Sequence, residues 1–136
     1  MKKLTEILNN IQPIQIVGLI DISINALQLD SRKVMNSDVF FAIKGVSVDG
    51  HNFISKVIDQ GASTIVCEEI PTEKITNVTY IQVKDARKTS ALMACNFYDN
   101  PSQKLKLVGV TGTNGKTTVA TLLYELYKNK GENVGL

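Results

Sequence analysis

Residues 108–118 read Val-Gly-Val-Thr-Gly-Thr-Asn-Gly-Lys-Thr-Thr, and this stretch indicates the class of fold. The apolar segment from Leu105 to Val110 predicts a buried strand, and a helix is predicted from Thr117 to Lys130. A glycine-rich loop joins the two. A strand, a glycine loop and a helix in this order are typical of α/β proteins that bind phosphate groups.

The loop offers the groups that phosphate binding needs. Successive backbone N–H groups and the positive end of the helix dipole surround phosphate oxygens, and glycines let the backbone approach them. Lys116 would place its charge at the β- and γ-phosphates, and the Thr117 hydroxyl would bind Mg²⁺. The general pattern puts its first glycine at position 110, where this chain has Val110. The alternative is an ordinary strand-to-helix turn with a solvated lysine.

Toward the N-terminus, predicted strands alternate with predicted helices, which indicates an α/β fold. Apolar spacing predicts a short helix at Leu4–Ile11, a helix from Asn52 that ends at Gly61, and a helix over Ala86–Tyr98 with Asp85 as its cap. Residues 14–29 are β-rich, and buried strands are predicted at Val39–Ile43, Thr64–Cys67 and Val78–Val83. Turn residues at 100–104 divide the chain into predicted domains 1–103 and 104–136.

Two polar loops follow predicted strands in the first of these domains. One contains Asp30 and Ser31, and the other runs from Lys44 to Gly50. Ligands of α/β sheets commonly bind at the carboxyl ends of strands, so the two loops are candidates for a binding site. The alternative is a pair of ordinary turns rich in Asp, Ser and Gly.

Composition excludes several classes of protein. The chain has 136 residues, 43% of them hydrophobic, and 15 basic against 13 acidic side chains give a net charge of +2. That balance argues against a nucleic-acid partner, and the apolar runs are too short to span a bilayer. No secretory signal is evident, so we expect a cytoplasmic protein. Cys67 and Cys95 lack metal-site spacing and are predicted to be buried free thiols.

Several motifs resemble those of the Mur ligases, which form amide bonds in peptidoglycan precursor synthesis with ATP. The loop at Thr111–Thr118 resembles the ATP loop of that family, which departs from the general pattern in the same way. The N-terminal region is also similar: Asp-Ser-Arg begins at Asp30, Asp-x-Phe-Phe-Ala-x-x-Gly at Asp38 and Asp-Gly-His-x-Phe at Asp49.

The resemblance implies roles for the two domains. Residues 1–103 would hold the UDP part of a UDP-sugar peptide through Leu29, Ser31, Val46, Ser47 and Val48. Arg32 and His51 belong to the motifs without an assigned ligand contact. Residues 104–136 would begin a truncated central ATP-binding domain, with Lys116 as the catalytic residue and Thr117 as the metal ligand. The implied ATP-binding residues are Gly112, Thr113, Asn114, Gly115, Lys116, Thr117 and Thr118.

The resemblance also implies an activity. It indicates a ligase that activates the carboxylate of UDP-N-acetylmuramoyl-L-alanyl-D-glutamate as an acyl phosphate and adds an amino acid, with meso-diaminopimelate favoured over lysine. The ATP loop at Thr111–Thr118 and the segment before it, Asn100–Val110, resemble the tripeptide-forming members of the family more than those that add D-alanyl-D-alanine. A non-catalytic module for UDP-linked ligands and an unrelated phosphate-loop NTPase remain alternatives. We expect the 136 residues alone to be inactive and incompletely folded beyond about residue 104.

Overall fold

The structure is a computed structural model that describes residues 1–45 and 48–136. The chain divides into two compact units, the N-terminal unit Met1–Ser102 and the C-terminal unit Gln103–Leu136. The strands are β1 Lys2–Lys3, β2 Gln15–Val17, β3 Ser23–Ile24, β4 Leu27–Gln28, β5 Val39–Ala42, β6 Thr64–Cys67 and β7 Thr79–Gln82. The α-helices are α1 Leu4–Ile7, α2 Ile54–Asp59, α3 Ala86–Phe97 and α4 Lys116–Asn129, and 3-10 helices span Gly50–Phe53 and Pro101–Lys104.

A five-stranded sheet forms the centre of the N-terminal unit, which confirms the predicted α/β fold. Its strand order is β2-β7-β6-β5-β4; β4 to β7 run parallel, and β2 is antiparallel to β7. Every residue of β5 and β6 is buried. Such continuous apolar strands are expected where helices cover both faces of a parallel sheet. β1 and β3 form a separate antiparallel pair.

Alternation along the strands divides the apolar core between the two faces of the sheet. Val39 and Phe41 point into one cluster, which also contains Leu4 of α1 and Met93 of α3. Phe40 and its cross-strand neighbours Ile65 and Tyr80 point into the other cluster. Ile54 and Val57 of α2 cover this cluster. The core therefore fixes α2 against the sheet, beside the ends of β4 and β5.

The predicted cap of α3 and the predicted end of α2 are confirmed, whereas α1 ends at Ile7 and not at Ile11 as predicted. The Asp85 carboxylate accepts a hydrogen bond of 2.8 Å from the Lys88 backbone N–H and caps α3. Gly61 follows α2 with φ of +107°, and a Cβ added there would lie 2.7 Å from Asn36 Oδ1. Glycine meets both the backbone and the packing requirement at this position.

The C-terminal unit differs from the prediction in one element. α4 forms one residue earlier than expected at both ends, but Leu105–Val110 forms no strand. A strand needs a hydrogen-bonding neighbour, and the residues of this unit, all of which the structure describes, provide none. Leu107 is 88% exposed as a result.

The prediction for the two cysteines is correct only for Cys67. Cys67 is buried in β6, where burial raises the pKa of its thiol to about 11. Cys95 is exposed, because it lies on the outer side of α3, whose buried residues are Ala86, Thr89 and Met93.

Candidate functional site

A cleft with a cavity volume of about 490 Å³ lies where β4 and β5 end. Its apolar wall comes from both strands and from the segments that follow them: Leu29, Phe40, Phe41, Ile43, Val48 and Phe53. Its polar lining is Asp30, Ser31, Arg32 and Lys56, and Gly50 completes it. The carboxyl ends of parallel strands are the usual place for ligands in α/β sheets.

The cleft brings together the described residues that the sequence nominated for UDP binding. Leu29 and Ser31 follow β4, and Val48 lies in the loop that follows β5. Val46 and Ser47 of the same prediction lie outside the described residues. Phe53 and Lys56 also line the cleft, although neither was predicted from the sequence as a site residue. An aromatic residue and a lysine on an amphipathic helix carry no signal that separates a cleft from an ordinary surface.

Asp30 and Arg32 form a closed ion pair within the cleft. Arg32 Nε donates to Asp30 Oδ1 at 2.9 Å, and Arg32 Nη2 donates to Asp30 Oδ2 at 2.7 Å. The Arg32 backbone N–H also donates to Asp30 Oδ1 at 3.0 Å. These hydrogen bonds hold the pKa of Asp30 well below its usual range and raise the pKa of Arg32. The Arg32 guanidinium is therefore hydrogen-bonded to a carboxylate two residues earlier in the same turn.

The Asp-Gly-His motif at Asp49–His51 determines the conformation of the second cleft loop, the one that follows β5. The Asp49 carboxylate accepts a 2.9 Å hydrogen bond from the His51 backbone N–H and lies 2.6 Å from His51 Nδ1, which lowers the pKa of Asp49. Gly50 N–H donates to Ile43 O at 2.9 Å, and a Cβ at Gly50 would lie 2.7 Å from the same oxygen. The motif therefore lets this loop approach the end of β5 closely.

A buried carboxylate fixes the strand that leads into the cleft. Asp38 is fully buried, and its carboxylate accepts hydrogen bonds from the Met35 backbone N–H at 3.0 Å, Gln28 Nε2 at 3.2 Å and Asn25 Nδ2 at 3.4 Å. Gln28 is the last residue of β4 and directly precedes Leu29. Asp38 thus links β4 to the start of β5 and holds the backbone from which the cleft residues extend.

The glycine loop stands at the N-terminus of α4 in the C-terminal unit. Gly115 has φ of +77° and directly precedes Lys116, the first residue of the helix. A Cβ at Gly115 would meet no atom within 4 Å, so the backbone is open to an approaching group. Lys116 Nζ donates to Gly112 O at 2.7 Å and to Thr113 O at 3.3 Å. The first N–H groups of α4 lack intrahelical partners, as at any helix start, and suit phosphate oxygens.

Thr117 supplies the one side chain that the sequence assigned to a metal ion. Its hydroxyl lies in the first turn of α4 and makes no hydrogen bond to any residue that the structure describes. Residues 1–45 and 48–136 contain no group of three or more His, Cys, Asp or Glu side chains that could hold a metal ion. The hydroxyl of Thr117 is an oxygen that could bind a Mg²⁺ ion.

The chain is similar to curated ligases over nearly its whole length. It is 51% identical over 134 residues to the UDP-N-acetylmuramoyl-L-alanyl-D-glutamate--2,6-diaminopimelate ligase of Bacteroides fragilis. It is 48% identical over 135 residues to the enzyme of the same name from Cytophaga hutchinsonii. Each match covers 98% of this chain, and the chain spans 28% of the length of either relative.

Solved structures share its fold. MurF from Acinetobacter baumannii matches 94% of this chain with a TM-score of 0.66 at 23% identity, and the match covers 28% of that protein. The UDP-N-acetylmuramoylalanyl-D-glutamyl-2,6-diaminopimelate--D-alanyl-D-alanyl ligase of the same organism matches 86% of this chain and 26% of its own, with a TM-score of 0.63 at 25% identity. MurF ligase from Thermotoga maritima, solved in complex with ADP, matches 78% of this chain and 24% of its own, with a TM-score of 0.52 at 34% identity.

Among the described residues, no helix is long and apolar enough to cross a membrane.

A family model covers the part of the chain that forms the cleft. The model for the Mur ligase family, catalytic domain, matches residues 23–98, more than half of the chain. That range contains β4, β5 and α2, and with them every described residue that lines the cleft. The chain belongs to the Mur ligase family.

Proposed function

We propose that this chain supplies the UDP-substrate cleft and the ATP loop of a ligase that adds meso-diaminopimelate to UDP-N-acetylmuramoyl-L-alanyl-D-glutamate. The observation that carries the proposal is the cleft itself, which gathers Leu29, Ser31 and Val48 at the ends of two parallel strands. The names of the relatives at 51% and 48% identity support this reaction. In this proposal residues 1–103 form the UDP-substrate domain and residues 104–136 begin the ATP-binding domain.

The chemistry follows from the poor reactivity of a carboxylate. The substrate carboxylate attacks the γ-phosphate of ATP, which gives an acyl phosphate and ADP, and the amine of the amino acid then displaces phosphate to form the amide. Lys116 and the N–H groups of Gly112–Thr118 neutralise and orient the transferred phosphate. Mg²⁺, bound at the Thr117 hydroxyl, would offset the remaining phosphate charge. With ATP and a UDP-linked substrate, the reaction belongs in the cytoplasm.

Binding of the UDP-linked substrate is the first test. Titration of the 136-residue chain with UDP-N-acetylmuramoyl-L-alanyl-D-glutamate should shift the backbone amide signals of Leu29, Ser31 and Val48 in NMR spectra. Ser31→Ala should weaken binding, whereas Ser55→Ala, which alters an exposed serine of α2 outside the cleft, should not. Signal shifts confined to other surfaces, or none at millimolar ligand, would contradict the proposed site.

Turnover can be tested in a chimaera. In it, this chain replaces the matching 28% of the Bacteroides fragilis ligase. We expect the chimaera to ligate meso-diaminopimelate, and Lys116→Ala to reduce kcat by about a hundredfold or more, since one such charge contributes about 3 kcal/mol to the transition state. Lys130→Ala, at the opposite end of α4, is the control. Full turnover by Lys116→Ala would exclude the assigned role of the loop.

The D-alanyl-D-alanine-adding reaction is the second candidate, because the solved structures that share the fold include a ligase of that name. A second chimaera distinguishes the two reactions. Here the chain replaces the matching 26% of the Acinetobacter baumannii D-alanyl-D-alanyl ligase. Activity in this chimaera but not in the Bacteroides fragilis one would favour the second candidate, and the reverse would favour diaminopimelate addition.

A further inference from the structure

The charged side chains of the cleft do not contribute equally to its electrostatics. Three of them line it: Asp30, Arg32 and Lys56. Arg32 is held by both carboxylate oxygens of Asp30, so their charges offset each other within the turn. Lys56 is exposed and has no ion-pair partner within residues 1–45 and 48–136. The uncompensated charge of the cleft is therefore the ammonium of Lys56.

The position of Lys56 is fixed by the core, although its side chain can move. Lys56 lies on α2 between two anchors, Ile54 and Val57, of which Val57 is fully buried and Ile54 is 5% exposed. These contacts hold the helix backbone against the sheet. A lysine ammonium on a four-carbon stem can then adjust to the anion that enters, as a mobile point charge.

The other lining groups define what such an anion must be attached to. Most of the cleft wall is apolar. Phe40 and Phe41 are buried in it, and the half-buried Phe53 is the phenylalanine that a flat ring system can contact. Ser31 offers a hydroxyl beyond the end of β4. An apolar slot with a single uncompensated cation matches a ligand that has a planar base at one end and a phosphate group at the other. A nucleoside without a phosphate group would contact the apolar wall of the cleft but would not interact with the ammonium of Lys56.

We propose that Lys56 is the specificity-determining residue of the cleft, and that its ammonium binds the diphosphate of the UDP-linked ligand and selects it over an uncharged nucleoside. This inference rests on the proposed function of the cleft. Under this proposal the cation that binds the diphosphate is Lys56 of α2 and not Arg32 of the Asp-Ser-Arg motif. The Asp30 carboxylate already offsets the charge of Arg32, so this pair presents no net positive charge to a phosphate.

The test compares two probes on the 136-residue chain. Isothermal titration calorimetry with UDP and with uridine gives their two dissociation constants. Lys56→Ala should weaken UDP binding by about tenfold or more, as expected for a charge-assisted contact, and should leave uridine binding unchanged. Lys56→Arg should retain most of the UDP affinity. Lys88→Ala, an exposed lysine on α3 outside the cleft, should behave like the unaltered chain.

Each other outcome contradicts either the role of Lys56 or the assignment of the cleft. If Lys56→Ala binds UDP as tightly as the unaltered chain, the role of Lys56 is wrong and the cleft assignment stands. If Lys56→Ala lowers the affinities for UDP and uridine equally, the proposed role of Lys56 in binding the diphosphate is also wrong, because an equal loss indicates a change in the shape of the cleft. If the unaltered chain binds neither probe, the proposed function of the cleft fails. Circular dichroism of each variant verifies that the fold is retained.

Discussion

The carboxylate of Asp30 links the protonation state of one residue to the shape of the cleft. Arg32 holds the pKa of Asp30 below its usual value, so the folded chain binds fewer protons at this group than the unfolded chain. The contribution of this ion pair to stability is therefore complete above the ordinary pKa of an aspartate, about 3.9, and is lost as the pH falls through the lowered value. Near neutral pH the pair is intact.

An NMR titration of the Asp30 carboxyl carbon measures this effect. In the unaltered chain we expect a midpoint below the ordinary range of aspartate, and in Arg32→Ala a midpoint that returns toward that range. Arg87→Ala removes an arginine of α3 and should leave the Asp30 midpoint where it is. An unaltered chain whose Asp30 titrates normally would show that the ion pair does not persist in solution.

Asp38 makes a different kind of contribution because it is fully buried. Asp38→Ala would leave three donors, on Asn25, Gln28 and Met35, without their acceptor. The substitution breaks three hydrogen bonds at a fully buried position and leaves a space where the carboxylate was, so we expect the free energy of unfolding to fall by about 2 kcal/mol or more. Asp59→Ala, at the exposed end of α2, should change it by less than about 0.5 kcal/mol. Urea denaturation of both variants tests the difference, and equal effects would contradict the linking role of Asp38.

Sequence and structure give different kinds of information at the scale of residues. Asp30, Ser31 and Asp49 were found because short-range motifs place them at strand ends, and motifs are visible in a sequence. The role of Asp38 depends on donors from three separate segments, and the role of Lys56 depends on a helix that packs beside the cleft. Neither relation is encoded in local spacing, so the sequence could not reveal them.

At the scale of elements, the predictions were correct where a segment carries its own determinants. β5 and β6 are continuous apolar runs, and α3 has its cap in Asp85. Leu105–Val110 is also largely apolar but forms no strand, because strand formation depends on a neighbouring chain segment as well as on composition. The pattern of apolar residues shows that a segment could form a strand, but the strand forms only when another strand hydrogen-bonds to it.

The end of α2 tests one such local determinant. Gly61→Ala places a Cβ against Asn36 and forces a non-glycine residue to adopt φ of +107°. We expect a loss of stability of about 1–3 kcal/mol, which thermal denaturation would report as a lower Tm. Gly135→Ala is the matched control, because its added Cβ would meet no atom within 4 Å and its φ lies outside the positive range. If the two variants denature at the same temperature, the backbone of Gly61 is not the constraint that ends α2.

At the scale of the whole molecule, the two units differ in how fully they bury their apolar residues. The N-terminal unit covers both faces of its sheet. In the C-terminal unit Val119, Leu122 and Leu126, which lie at core spacing along α4, are all about half exposed or more. Each such side chain forgoes about half of the roughly 1.5–3 kcal/mol that full burial contributes, and a helix of this length is marginal in water without packing.

Hydrogen exchange should therefore divide the 136-residue chain into two classes. Amides of β5, β6 and β7 should exchange slowly, whereas those of α4 should exchange within the dead time of a manual experiment, because local opening of an unpacked helix costs little free energy. In the Bacteroides fragilis chimaera the remaining length of the relative can cover the apolar side of α4, so its amides should become protected while those of β5 to β7 change little. The comparison separates an intrinsically weak helix from one that lacks only its packing partners. Slow exchange of α4 in the 136-residue chain would show that the glycine loop already has a stable support, and the expected absence of ATP turnover by this chain would then need another cause.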